Sequence, residues 1–174
     1  MKSIRIVLLC ILAAVGYGIV HDQITAHLCV EYFTIGHPPV FNTDHPALLG
    51  LGWGILATWW VGLLLGIPMA FAARFGDRPK RSIKSLLRPL GILVCVMAGF
   101  AVLAGVLGYL AASAHLVSLR AWIALKVPEN RHVLFLTDLW IHLSSYGSGF
   151  VGGAILCRHV WRSRSEPGND TDSS

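Results

Sequence analysis

The sequence predicts an all-α protein, a four-helix transmembrane bundle whose first helix extends beyond the outer membrane surface. Three observations lead there. Apolar residues make up 55% of the 174-residue chain and charged ones only 13%, about half the usual share of charge. The apolar residues gather into four runs, close to the ~20 residues a helix needs to cross a bilayer at ~1.5 Å per residue. The basic residues occupy alternate segments between those runs, as the positive-inside rule requires.

The first run, "IRIVLLCILAAVGYGIV", covers about 4–20. Following "MKSIR" with small residues at Ala14 and Gly16, it also fits a cleavable secretory leader. The helical pattern, however, continues past Gly18 through His21 without proline or a loop cluster. An uncleaved helix reaching Tyr32 or Phe33 is therefore expected. The second span covers about 47–73. Asn42, Thr43 or Asp44 in "NTDHP" offers its N-cap, with Pro46 in the first turn. In "GDRPKRSIKSLLRP", Ile83, Leu86 and Leu87 oppose Lys84 and Arg88, a short amphipathic piece expected at the headgroups. The third span covers about 90–114. "SLRAWIAL" is again amphipathic, with Trp122 as an interfacial anchor. "VPEN" opens the fourth span, about 132–157, and 158–174 is expected to be a disordered cytoplasmic tail.

Orientation follows from the basic residues. Lys2 and Arg5, the loop from Arg74 to Arg88, and Arg158, Arg162 and Arg164 hold 11 of the 14. The segment from His21 to Pro46 holds none. The expectation is a multi-pass protein of a bacterial inner membrane with both termini in the cytoplasm. The net charge of +5 then reflects topology and anionic lipid heads; no nucleic-acid motif occurs. Of the four cysteines only Cys29 falls on the oxidising side, so no intrachain disulfide is expected. No CxxC pair occurs, which argues against a thiol oxidoreductase.

Small residues recur four apart in three spans: Gly50 and Gly54, Gly62 and Gly66, Ala101 and Gly105, Ala104 and Gly108, then Ser145, Gly149 and Gly153. Such spacing lets helix backbones approach closely. Packing accounts for these glycines without any further role. Trp59 and Trp60 fall near the middle of the second span, where core filling is expected and each indole needs an acceptor, Thr58 among the candidates.

The chemistry concentrates in "HDQITAHLCVEYFTIGHPPVFNTDHP", residues 21–46, with four histidines and three carboxylates. Seven of the eight histidines fall on or near the outer side. His27 with Glu31 and Asp138 with His142 stand at i,i+4 spacing, so each pair shares a helix face. His21 and Asp22 sit where the first span leaves the membrane. Imidazole and carboxylate suit zinc, iron or manganese, and a helical bundle can close such a site from two helices. The candidate metal ligands are therefore His21, Asp22, His27, Glu31, Asp138 and His142. For the outer pair, solvated side chains are the plainer explanation, since no HExxH or related spacing occurs. Asp138 and His142 lie roughly 9–15 Å inside the fourth span at 1.5 Å per residue, where an acid marks a functional or packing-critical site. Asp138, His142, Ser145, Gly149 and Gly153 follow one helix face, which points it inward. A bis-histidine heme is disfavoured, because only His142 is clearly embedded.

The runs "YGIVHDQITAHLCVEYFTIGHP", "GWGILATWWVGLLLGIP" and "DLWIHLSSYGSGFVGG" resemble a group of small bacterial polytopic membrane proteins without an assigned function. The resemblance implies several spans in an inner membrane and transfers no catalytic residue. Three functions compete: a non-enzymatic membrane component that engages lipid, a membrane-protein partner or its own copies; a membrane-embedded metal or redox protein; and an oligomeric proton-coupled conduit using Asp138 and His142. The first leads on sequence grounds, because no catalytic or cofactor motif is present.

Overall fold

The computed structural model describes residues 2–164. The described residues form helices and connections, with no strand among them. Helix α1 spans Lys2–Leu28, α2 Val30–Thr34, α3 Pro46–Leu56, α4 Trp59–Arg74, α5 Ile83–Ser113, α6 Ala121–Lys126 and α7 His132–Arg162. By length and composition, three stretches are apolar enough to cross a membrane: α1, α3 continued by α4, and α5. Helix α7 is as long as α5 but is not one of them. Thr137, Asp138, His142, Ser144, Ser145 and Ser148 dilute its apolar character, and several of these turn inward.

Several boundaries differ from expectation. The chain breaks at Cys29 (φ −148°, ψ 89°) before the short turn of α2, so the first helix stops at Leu28. Pro46 takes the first turn of α3 as expected, but the cap position is His45 and no side chain caps it. The piece around Ile83 and Leu86 is the first turn of α5 itself. Ser82 Oγ caps that turn by accepting from Ser85 N at 3.3 Å, and Leu86 is buried in the core. Helix α7 continues through Arg158 to Arg162, where a disordered tail was expected; residues 165–174 of that tail lie outside the described residues. Trp59 and Trp60 are 44% and 43% exposed, so they cover the apolar perimeter and do not fill a core. Thr58, offered as an indole partner, instead donates to Gly54 O.

Helix α1 packs along α3 and α4, α5 packs along α7, and the two pairs meet mainly through α4 and α7. The α1 seam is built on glycine. A Cβ added at Gly50 would lie 2.7 Å from Asp22 O, at Gly54 2.6 Å from Ile19 Cα, and at Gly62 2.6 Å from Ile11 Cα. These are backbone atoms, so nothing flexible can yield. At Gly66 the approach relaxes to 3.1 Å. The α5–α7 seam differs: Gly105 and Gly108 accept the side chains of Ile141 and Trp140.

At the arginine-rich end, Arg164 is 1% exposed. Its guanidinium donates to Ala72 O, Phe75 O, Arg78 O and Pro79 O at 2.8–2.9 Å. Two of these acceptors belong to the end of α4, whose last carbonyls lack helical partners. A cation there also complements the helix dipole. Arg81 returns the contact by donating to Ser163 O at 2.8 Å. Arg164 was expected among the solvated residues of the tail; it instead clasps α7 to the end of α4.

Because backbone lies opposite Gly62, Gly62→Ala should destabilise the protein by roughly 1–3 kcal/mol. Gly147→Ala, where an added Cβ meets nothing within 4 Å, should change stability by less than about 0.5 kcal/mol. Unfolding in mixed micelles followed by circular dichroism measures both, and equal effects would dismiss close backbone approach as the basis of the seam.

Candidate functional site

The histidine-rich ends of α1 and α7 bring four ionisable side chains into one buried cluster. Gly50 lets the backbone at Asp22 lie against α3, which leaves the Asp22 carboxylate free to turn toward α7. His21 Nδ1 lies 2.9 Å from Asp22 Oδ1, and His142 Nε2 lies 3.4 Å from the same oxygen. On the other edge of that ring, His142 Nδ1 is 2.9 Å from Asp138 O and 3.4 Å from Asp138 Oδ1. His21 Nε2 meets Ser145 Oγ at 3.0 Å, and Ser145 Oγ meets Tyr17 OH at 2.9 Å. One connected row thus runs Tyr17, Ser145, His21, Asp22, His142, Asp138.

The hydrogen-bond chemistry of the row is incomplete in one place. A backbone carbonyl only accepts, so His142 Nδ1 carries the proton it gives to Asp138 O. In the neutral ring, Nε2 then presents a lone pair to the Asp22 carboxylate. Neither Nε2 nor either carboxyl oxygen of Asp138 has a hydrogen-bond partner. The 3.4 Å separations are ion-pair distances that lack hydrogen-bond alignment. Asp138 is fully buried and His142 is 6% exposed. A bare carboxylate in that setting costs several kcal/mol, so a positive charge or proton has to be shared among these groups.

Aromatic rings cover the cluster. Tyr32 stacks on the His142 ring at 4.4 Å and Phe33 meets its edge at 5.7 Å. His37 lies parallel to Phe33 at 5.4 Å and packs on Trp53 at 4.5 Å. Helix α2 carries this cover and is held by Arg131, which donates from Nε to both carboxylate oxygens of Glu31 at 3.0 Å and through a second nitrogen to Leu28 O at 3.1 Å. Burial pushes the Glu31 carboxyl up, but its own backbone N–H, Arg131 and the Cys29 thiol outweigh that and hold it below the ordinary 4.5. Burial and the neighbouring Glu31 push the Cys29 thiol up to about 12, so that thiol stays protonated.

Beneath the cluster lies a cavity of about 90 Å³ between α1, α4, α5 and α7. His21, Asp22, His142, Ser145 and Tyr17 line one end of it. Apolar side chains, among them Leu65, Leu93, Met97 and Leu156, line the rest.

Of the six sequence candidates, His21, Asp22, Asp138 and His142 come together. His21, Asp22 and His142 each offer a ligand atom, all within 4.8 Å of one another. His27 and Glu31 do not join them: His27 is exposed and its Nδ1 lies 2.6 Å from Gln23 O, while Glu31 is engaged by Arg131. Tyr17 and Ser145 were not among the candidates. The i,i+4 spacing of Tyr17 with His21 and the i,i+3 spacing of His142 with Ser145 were available signals. Nothing in the sequence pairs Glu31 with Arg131, one hundred positions away.

Among its described residues the chain is thus all-helical, with three membrane-compatible helical stretches and a buried histidine–carboxylate cluster. No known protein family matches the chain, and comparisons with curated proteins and with solved structures find nothing similar.

The Glu31–Arg131 pair has a definite pH signature. A carboxyl lowered on folding contributes stability above its unfolded value, and that contribution is lost as pH falls through the lowered one. With both side chains less than a third exposed, Glu31→Gln should cost roughly 1 kcal/mol at pH 7. The difference from the native chain should shrink below pH 4.5 and vanish in stronger acid. Paired unfolding curves across that range check it; a penalty independent of pH would refute an ionic origin.

Proposed function

We propose that this protein is a multi-pass component of a bacterial inner membrane that holds a divalent metal ion in the cluster of His21, Asp22 and His142. In this reading α7 is a fourth span, the helices form a four-span bundle, and both termini face the cytoplasm. The observation that carries the metal reading is the convergence of His142 Nε2, without a partner, and His21 Nδ1 on one Asp22 oxygen, at 3.4 and 2.9 Å. Two ligands of a tetrahedral zinc ion with bonds of ~2.0–2.1 Å stand roughly 3.4 Å apart. The two spacings to Asp22 lie near that value, and all three ligand atoms lie within 4.8 Å of one another.

The surroundings support the same assignment. A metal-bound histidine donates its other ring N–H to a carbonyl or carboxylate, which fixes the tautomer. His142 has both Asp138 O and the Asp138 carboxylate at Nδ1. Asp138 is then a positioning residue whose charge helps neutralise a divalent ion in an apolar interior. Binding at His21 Nδ1 displaces the proton shared with Asp22. Ser145 Oγ can then accept from His21 Nε2 and donate its own proton to Tyr17 OH, since either hydroxyl donates or accepts.

The purified protein dialysed against zinc should retain one ion per chain by elemental analysis. His142→Ala and Asp22→Asn should abolish retention, and Asp138→Asn should weaken it by about 10–100-fold. His27→Ala and Glu31→Gln should leave it unchanged. A folded native chain that retains no metal would refute the metal site and favour a proton shared along the row, the conduit reading. For the topology, a reporter active only in the cytoplasm should work when fused after Ser174 and fail when fused after Thr43; activity at Thr43 would overturn it.

A further inference from the structure

The cluster supplies three ligand atoms, and the remaining groups near it are committed elsewhere. Asp138 lies against His142 Nδ1, on the far edge of the ring from the convergence point. Glu31 is held by Arg131. The face of His142 is covered by Tyr32, which closes the side toward α2. What is left is the cavity, because His21, Asp22 and His142 all line it. Three protein ligands with one vacant direction is the pattern of a reactive or ligand-binding zinc site; structural sites are closed by four.

The cavity also limits what could fill that direction. Its volume is about 90 Å³, against roughly 150 Å³ for an apolar cavity that holds benzene and ~30 Å³ for each water. Below the cluster it is walled by residues such as Leu65, Met97 and Gly149. Hydroxyls there come from Ser145 and Tyr17, which belong to the hydrogen-bonded row, and from Tyr146 and Thr58, the latter donating to Gly54 O. Charge narrows the choice further. A divalent ion with ionised Asp22 and Asp138 sums to zero, and an added anion would leave a net negative charge among apolar side chains.

We propose that a metal ion in this cluster keeps one coordination position open to the cavity, and that the position takes an uncharged ligand smaller than benzene, with fewer than about six heavy atoms. The ligand presents one lone-pair atom to the metal and an otherwise apolar or weakly polar body to the cavity. Its hydrogen-bonding edge, if it has one, meets Ser145 or Tyr17. This inference rests on the metal reading above and adds the chemical class of the second ligand.

Cobalt(II) in place of zinc makes the test visible, because its absorption reports coordination directly. Uptake of one cobalt per chain is measured first; a chain that takes up none overturns both the metal reading and this inference. Given uptake, imidazole should shift the cobalt bands while the metal stays bound after desalting. Its half-saturation should lie at least about tenfold below that of azide, a difference of ~1.4 kcal/mol. Gly149→Val should block the response by filling the cavity while cobalt uptake persists. An added Cβ there meets only the flexible end of Met97, at 3.0 Å. Cobalt bound with no imidazole shift, a shift accompanied by loss of cobalt, azide binding as well as imidazole, or an unimpaired response in Gly149→Val would each overturn the open position and leave the metal reading standing.

Discussion

Two carboxylates placed on opposite edges of one buried imidazole are the constraint around which the histidine-rich end is arranged. Asp22 approaches His142 from α1 and Asp138 approaches it from one turn back on α7. Neither acid can be left bare in an apolar interior, and one protonated ring cannot neutralise both. The cluster therefore demands a positive charge or a proton on one of the acids, and the helices have to be held closely enough to share it. The glycine seam supplies that closeness. Asp22 O lies within reach of where a Gly50 side chain would be, so the backbone of α1 is seated on α3 at the residue whose carboxylate serves the site.

The same logic explains the asymmetry of the two seams. Helix α1 meets α3 and α4 backbone to backbone, whereas α5 and α7 interlock through Ile141 and Trp140 over Gly105 and Gly108. Direct packing of α1 on α7 is sparse. The side chains of Tyr17, His21 and Asp22 bridge that gap to Ser145 and His142. A polar bridge over a gap leaves space beneath it, and the cavity occupies that space. Seam, cluster and cavity are thus three consequences of one arrangement.

Much of this was legible in the chain. Four runs of apolar residues, the inward stripe through Asp138, His142, Ser145, Gly149 and Gly153, and the small residues of the second span follow from helical periodicity alone. The structure buries Asp138, His142, Ser145, Gly149 and Gly153 together. Adjacent His21 and Asp22 at the end of the first run pointed to the partner helix for the same reason. Where the structure departs from expectation, the physical reasons differ. His27 and Glu31 satisfy i,i+4 spacing, but the chain breaks at Cys29, so they do not share the continuous helix face that the spacing assumes. Arg164 looked like a solvated charge because nothing local reveals that four carbonyls some 85 positions earlier lack donors. Trp59 and Trp60 were expected in the core because they fall mid-span, away from any headgroup; a perimeter compatible with lipid is apolar too.

The aromatic cover gives the site a direction. Tyr32 and Phe33 shield His142 from the side of α2, a helix held by the Glu31–Arg131 pair and by the packing of Phe33 against Ala26, Leu49 and Trp53. That cover closes the α2 side of His142, while the cavity reaches the same groups from within the helices. An ion is strongly disfavoured among the apolar side chains of the cavity, whereas a small neutral molecule is not. The two sides of His142 thus differ in what they can stabilise, aromatic and histidine-bearing toward α2 and largely apolar toward the cavity.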